Sequence, residues 1–190
     1  MSEANKGKYE VIKIIRDNIL LGLSTMGLQP KTGSIERPWD VMEFAQASFQ
    51  NADKIVLINN IRNGRVGWQS TKYGIQGDEL SRVERWCEEQ KWQIHILFKR
   101  DTNVPVTADT LTVEDAASLL ITWFNGKGCE EFRRHGCANL IVDPSQIFVY
   151  NDDSSIYQRR AVFTVNLQVP KKWTSQEEDL DAIKPDIFPV

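Results

Sequence analysis

The sequence predicts an α+β fold: an antiparallel or mixed β-sheet with helices packed on one face, a long projecting hairpin or loop, and an extended C-terminal arm. Three patterns lead there. Ile12, Ile15, Ile19, Leu23 and Met26 recur at three- and four-residue steps, the period of an amphipathic helix. Trp92, Ile94, Ile96 and Phe98 fall at every second position, the period of a strand with one buried face, while Gln93, His95 and Lys99 take the other face. Just before them the same alternate positions hold Arg82, Glu84, Trp86, Glu88 and Gln90, which are too charged for a core. A strand in that register either extends beyond the domain body or lies on a partner.

Taken in order, Tyr9 to Met26 forms the first helix, broadened by Val11 and Ile14, with Gly27 as C-cap and Pro30 blocking continuation. Residues 29–53 admit two readings, a short helix opened by Pro38 and holding Val41, Phe44, Ala45 and Ser48, or an extended segment. Lys54–Ile61 is β-branched and short, a buried strand, and Asn63-Gly64 is a turn signal. Gly74, Gly77 and Asp78 punctuate a loop, and residues 62–90 as a whole suit a hairpin-like arm; the run 79–90 taken alone fits helix or strand. Thr112 with Asp115 makes a capping box for a second helix whose apolar side is Ala116, Leu119, Leu120 and Trp123, ended by Gly126 and Gly128. Glu130 to His135 is a further helical piece. Asn139–Val142, Gln146–Tyr150 and Gln158–Val169 are strands, the last with Ala161, Phe163, Val165, Leu167 and Val169 on one face. Asn151 to Ser154 is a hairpin loop. Pro170 ends the sheet in this reading, so residues 1–170 form the domain and 171–190 an extended arm with Trp173, an acidic run at Glu177–Asp181 and the apolar Ile183, Ile187, Phe188 and Val190.

Composition narrows the function classes. The formal charge of −3 gives no general affinity for nucleic acid. Residues 1–100 carry 15 basic and 12 acidic groups, a balance of +3, and residues 101–190 carry 8 and 14, a balance of −6. A two-signed molecule can stack head to tail with copies of itself or with a partner. Three cysteines, Cys87, Cys129 and Cys137, are no disulfide framework and fit a reducing cytoplasm. No apolar run approaches membrane-spanning length, and the polar start from Met1 to Lys8 gives no expectation of a signal peptide.

Catalytic patterns are weak. Cys129, His135 and Cys137 match no common zinc spacing, and apolar cysteines are ordinarily small buried residues. Asn125-Gly126-Lys127-Gly128 lacks the phosphate-loop spacing and follows a helix instead of opening one. Cys87 and His95 lie about 26 Å apart on a straight strand at ~3.3 Å per residue, too far for a pair. The pairs Glu88-Glu89 and Asp152-Asp153 face opposite ways in extended chain. No metal, cofactor or enzymatic activity is expected. Six tryptophans are more than one core needs. Trp92 and Trp123 suit the core, whereas Trp68, Trp86 and Trp173 sit in polar context, where interface anchoring competes with packing at the core's edge.

The layout resembles phage neck and tail terminator proteins. The residues that carry the likeness are Arg65-Val66-Gly67-Trp68, Trp86-Cys87-Glu88, Trp92-Gln93-Ile94-His95-Ile96, Leu111 to Leu120 and Phe163 to Leu167, within about residues 8–170. No single motif among them is diagnostic. The resemblance implies a structural virion protein that forms a homomeric, hexameric ring. Such a ring caps the tail tube, ends its polymerisation and joins the tail to the head connector. It implies the tail tube protein and the head–tail connector protein as partners, the sheath protein in contractile tails, and DNA passing through the lumen without specific binding. The place implied is the virion neck, after assembly in the host cytoplasm, away from any membrane. Arg65, Trp68, Trp86, Trp173, Ile187 and Phe188 are the interface candidates. Asp152 and Asp153, at a hairpin tip, are the lumen candidates, because fixed cations facing phosphates would hold the DNA. The alternatives are another connector or head-completion protein, a tube protein, a small nucleic-acid-associated regulatory protein, or a hydrolase.

Overall fold

The computed structural model describes residues 8–28, 39–43, 54–76, 79–98, 111–151 and 157–177. Helices α1 (Lys8–Thr25), α2 (Val113–Asn125) and α3 (Lys127–Arg134) pack on one face of a sheet of five described strands. These are β1 (Asp40–Glu43), β2 (Lys54–Gln76), β3 (Glu79–Phe98), β4 (Ala138–Asn151) and β5 (Tyr157–Glu177), in spatial order β1-β2-β3-β5-β4. β1 runs parallel to β2, and the other pairings are antiparallel. The fold is α+β with a mixed sheet, as the periodicities predict.

The core forms where the two periods meet. Val11, Ile15, Ile19 and Leu23 of α1 and Ala116, Leu120 and Phe124 of α2 pack on Val56 and Ile58 of β2, Trp92, Ile94 and Ile96 of β3, and Phe163, Val165 and Leu167 of β5. Phe124 stacks on Phe132 of α3 at 5.6 Å between ring centroids and meets Phe163 at 6.0 Å. Trp39 precedes β1 and packs edge-on against Phe98 at 5.2 Å, its indole N–H donating to the Leu28 carbonyl at 3.0 Å.

Local chemistry sets the helix ends. Gly27 has φ +71°, and Leu28 N–H bonds Leu23 O while Gly27 N–H bonds Ser24 O, which together form a Schellman close. The same closure recurs after α3, with Gly136 at φ +72° and the bonds Cys137 N–H to Phe132 O and Gly136 N–H to Arg133 O. At the start of α2 the Thr112 hydroxyl accepts from Asp115 N–H and the Asp115 carboxylate accepts from Thr112 N–H, both at 3.1 Å. Hydrogen bonds from the Thr112 side chain, and then from its backbone, hold the Asp115 carboxyl below its ordinary range.

Several sequence expectations need correction. β2 runs straight through Asn63-Gly64, which pair with Gln90 and Glu89, so no turn forms there. A turn at that point would have stripped residues 79–90 of their partner, and the pairing along β3 overrides the local preference. The surplus length is taken up by irregularities between Asn60 and Arg62 and between Val66 and Ser70. Residues 79–90 are extended, and so are residues 40–43; residues 44–53 lie outside the described residues. The two strands expected at 139–142 and 146–150 are one strand, β4, with an irregularity between Asp143 and Gln146 that accommodates Pro144. Gly128 belongs to α3 and does not end α2, and Leu119 is exposed while Ala117 and Phe124 complete the buried stripe.

Pro170 does not end the sheet. β5 continues to Glu177 and stays paired with β3 as far as Leu80. The proline is tolerated because β4 has dropped away by Gln168, so that past it β5 has no partner on that side among the described residues. Hence Lys171–Glu177 are part of β5, and residues 178–190 lie outside the described residues.

A flat slot joins the three helices. The Trp123 indole lies against Gly22 of α1 and Gly128 of α3, where an added Cβ would fall 2.8 and 2.7 Å from ring atoms. Its N–H donates to Asn18 Oδ1 at 2.7 Å, and Asn18 Nδ2 donates to Gly128 O at 2.8 Å. Asn18 is thus buried with both ends of its amide bonded. Gly128→Ala is expected to cost about 1–3 kcal/mol in chemical denaturation, because its Cβ would also meet the Trp123 carbonyl at 2.9 Å and a side-chain shift alone cannot relieve it. Unchanged stability in that variant would contradict the close packing.

His95 sits on the sheet face away from the helices, opposite Leu57 and Val162, beside buried Ile55 and Leu97. Arg160 donates to its Nδ1. Burial first, and the Arg160 charge second, lower its pKa from about 6.5 to about 4. The unfolded chain therefore takes up this proton near pH 6.5 and the folded chain only near 4. Stability from this group is fully present above 6.5 and is lost as pH falls towards 4, by up to about 3 kcal/mol at 1.36 kcal/mol per unit. His95→Asn should flatten the acid limb of a stability-against-pH curve by that amount. Superimposable slopes for the two proteins would contradict it.

Candidate interaction surface

The distal halves of β2 and β3, with the end of β5, form a three-stranded blade beyond the helix-covered core. β3 is paired on both sides from Leu80 to Leu97. β1 stops opposite Ile58, and β4 stops opposite Gln168. Beyond those points the outer edges of β2 and β5 have no partner among the described residues. From Gln90 to Leu80 the blade is roughly 33 Å long at ~3.3 Å per residue.

A hydrogen-bonded ladder on one face of β3 ties blade to core. Trp92, fully buried, donates its indole N–H to Gln90 Oε1 at 3.2 Å, and Gln90 Nε2 donates to Glu88 Oε1 at 2.9 Å. Glu88 Oε2 then faces Lys171 Nζ of β5 at 3.8 Å, with both side chains largely covered. The residues follow at i, i+2 spacing, as side chains on one face of a strand must. Further out, Arg82 and Glu84 form an ion pair at 2.6 Å. Several of the alternate positions that looked too charged for a core thus engage one another or Lys171 of β5.

Two of the predicted interface residues meet. Arg65 pairs in register with Glu88, so Trp86 is its diagonal neighbour across the strands. The guanidinium carbon lies 4.9 Å from the Trp86 ring centroid, a cation–π contact, and Arg65 Nη1 donates to Gln69 Oε1 at 2.7 Å. Trp86 is half-buried and Arg65 exposed. Trp68 falls in the irregular stretch of β2 between Val66 and Ser70, and Trp173 stands opposite Glu84 in β5. Ile187, Phe188, Asp152 and Asp153 lie outside the described residues. Trp92 and Trp123 are core residues, as expected.

Sequence reasoning missed the polar groove at the blade's root, about 340 Å³ in volume, whose walls include Arg62, Lys91, Asp143 and Asn166. Arg62 and Lys91 are register partners, and β4 brings Asp143 beside them. The clue would have been the β2–β3 register, which the false turn at Asn63-Gly64 concealed. Among the described residues no three His, Cys, Asp or Glu side chains converge as metal ligands: Cys129 is half-buried in α3, His135 exposed and Cys137 buried. Also among them, no helix is long and apolar enough to cross a membrane.

No protein-family model matches the chain, and no curated protein matches it in sequence.

Gln90→Leu would leave the Glu88 carboxylate and the Trp92 indole N–H without their shared partner. A loss of about 1–3 kcal/mol is expected, read by denaturation, with faster amide exchange along residues 80–90. Unchanged exchange there would mean the ladder does not couple blade to core.

Proposed function

We propose that this chain is a structural protein of a phage virion, a tail terminator. Six copies form a ring that caps the tail tube, stops its growth and joins the tail to the head connector. The reading rests on the resemblance of layout, and the observation that supports it best is the projecting blade. A three-stranded blade whose outer edges have no partner among the described residues is a poor end state for a lone domain, since unpaired edges invite uncontrolled pairing. Closure into a homomeric ring disposes of them. Arg65 on Trp86 gives that blade a cation on an aromatic platform, and arginine and tryptophan are each enriched at interface hot spots. The tail tube protein and the connector, with the sheath protein in contractile tails, are the proposed partners. DNA is proposed to pass the lumen without being read.

Negative-stain imaging of the purified chain, alone and mixed with tails lacking it, tests the reading. Six-fold rings, or six-fold caps on tube ends, are expected. A chain that stays monomeric in both settings would rule the reading out. Trp86→Ala should weaken assembly by about 2 kcal/mol or more, roughly 30-fold, with a smaller effect on the stability of the monomer. Loss of fold stability equal to the loss of assembly would make Trp86 a packing residue only.

A further inference from the structure

The groove at the blade's root has a charge pattern that asks for a ligand. It is lined by Arg62, Arg65, Lys91, Glu89, Asp143 and Asn166, three cations against two carboxylates. Asp143 is already engaged, by Lys91 Nζ at 3.5 Å and Asn166 Nδ2 at 3.4 Å. Arg62 is exposed at the groove and is the cation best placed to receive a carboxylate from outside. The densest acidic run in the chain, Glu177-Glu178-Asp179-Leu180-Asp181, begins at Glu177, the last residue of β5, opposite Leu80 at the blade's tip.

We infer that the groove receives this acidic run from a neighbouring copy of the chain, so that the tip of one blade lies against the root of the next. The run cannot fill the groove of its own molecule. Glu177 stands opposite Leu80, eleven strand positions from Lys91, which is about 36 Å at ~3.3 Å per residue. Asp181 lies four residues past Glu177, a reach of at most about 14 Å. A tip-to-root contact uses two different patches, so it is heterologous and repeats from copy to copy, closing into a ring when the rotation allows. It specifies which surfaces meet in the proposed ring, and it rests on that reading only for closure; the contact can be measured without tails or virions.

The test uses the full chain and a synthetic peptide of residues 175–183, titrated by calorimetry at low and high salt. The peptide should bind at low salt and weaken as salt rises. Arg62→Glu should weaken it at least ten-fold and Arg62→Gln by less, with circular dichroism confirming that both variants fold. Self-association in the ultracentrifuge should follow. Arg62→Glu with Lys91→Glu, and separately Glu178→Lys with Asp179→Lys and Asp181→Lys, should each weaken it at least ten-fold. An equimolar mixture of the two reversed chains should recover it. Absent binding, equal binding by wild type and Arg62→Glu, or binding of a DNA duplex but not the peptide overturns the inference. Rings that form unchanged in both reversed chains remove this contact and leave the ring; peptide binding that behaves as expected, with no ring on tails, does the reverse.

Discussion

The constraint on which this structure depends is the two-sided pairing of β3. Its inner half, Gln90 to Phe98, carries Trp92, Ile94 and Ile96 into the core, and its outer half carries Arg82, Glu84, Trp86 and Glu88 out of it. One register serves both halves, because a slip of one residue would turn the buried set to the opposite face. The core therefore sets the register of the blade. With Ile94 held opposite Phe163, Lys171 must stand beside Trp86 and within reach of Glu88; on the other side the irregularity of β2 between Asn60 and Arg62 shifts that strand by one residue and puts Arg65 beside Glu88, within reach of Trp86. The irregularities of β2 confirm which strand yields: β2 bulges twice, while β3 and β5 pair without a shift from Leu80 to Leu97.

The helices solve a separate problem, that of fitting a tryptophan among three of them. Glycine in a helix interior costs about 1 kcal/mol against alanine. Gly22 and Gly128 sit where that cost is offset by contact with the indole face, and Asn18 satisfies the indole N–H without bringing water inside. The same tryptophan on the sheet side would need no glycines. Its position between helices explains why Gly128 is helical although it reads as a stop, and why Asn18 is the buried polar residue of α1.

What could be read from the sequence followed from strong periodicity. The α1 face, the Trp92–Phe98 alternation, the Ala161–Val169 alternation and the Thr112–Asp115 box all appear as expected, because each is a local pattern reinforced by burial or by a cap. The failures lie where long-range pairing overruled a local signal. Asn63-Gly64 is a good turn pair that stays in a strand because β3 offers Gln90 and Glu89 opposite it. Pro170 is a good strand terminator that stays in a strand because its second side faces no β4 residue. Of the surface, Arg65 and Trp86 were legible from an odd mixture of aromatic and charge. Their contact was not, since it depends on the register of two strands. The groove of Arg62, Lys91, Asp143 and Asn166 draws on several strands, and its one clue, the β2–β3 register, is hidden behind the turn signal at Asn63-Gly64.

The electrostatics of the blade distinguish it from an ordinary solvated edge. Exposed ion pairs contribute little, about 0–1 kcal/mol, because water screens both charges and the side chains lose freedom. Glu88 and Lys171 are mostly covered, so the attraction between them acts in a poorer solvent, and Gln90 takes up the remaining carboxylate oxygen. The Arg65 guanidinium lies over Trp86, a contact suited to arginine's planar, weakly hydrated head. Removing water from one side of these groups in advance lowers what a partner must strip away on docking. A surface whose charged groups are already positioned by such a ladder would have less ordering to do in any docking, where fixed positions of charge favour specific contacts over apolar area. That is the physical sense in which a strand too polar for a core can still be built as firmly as one.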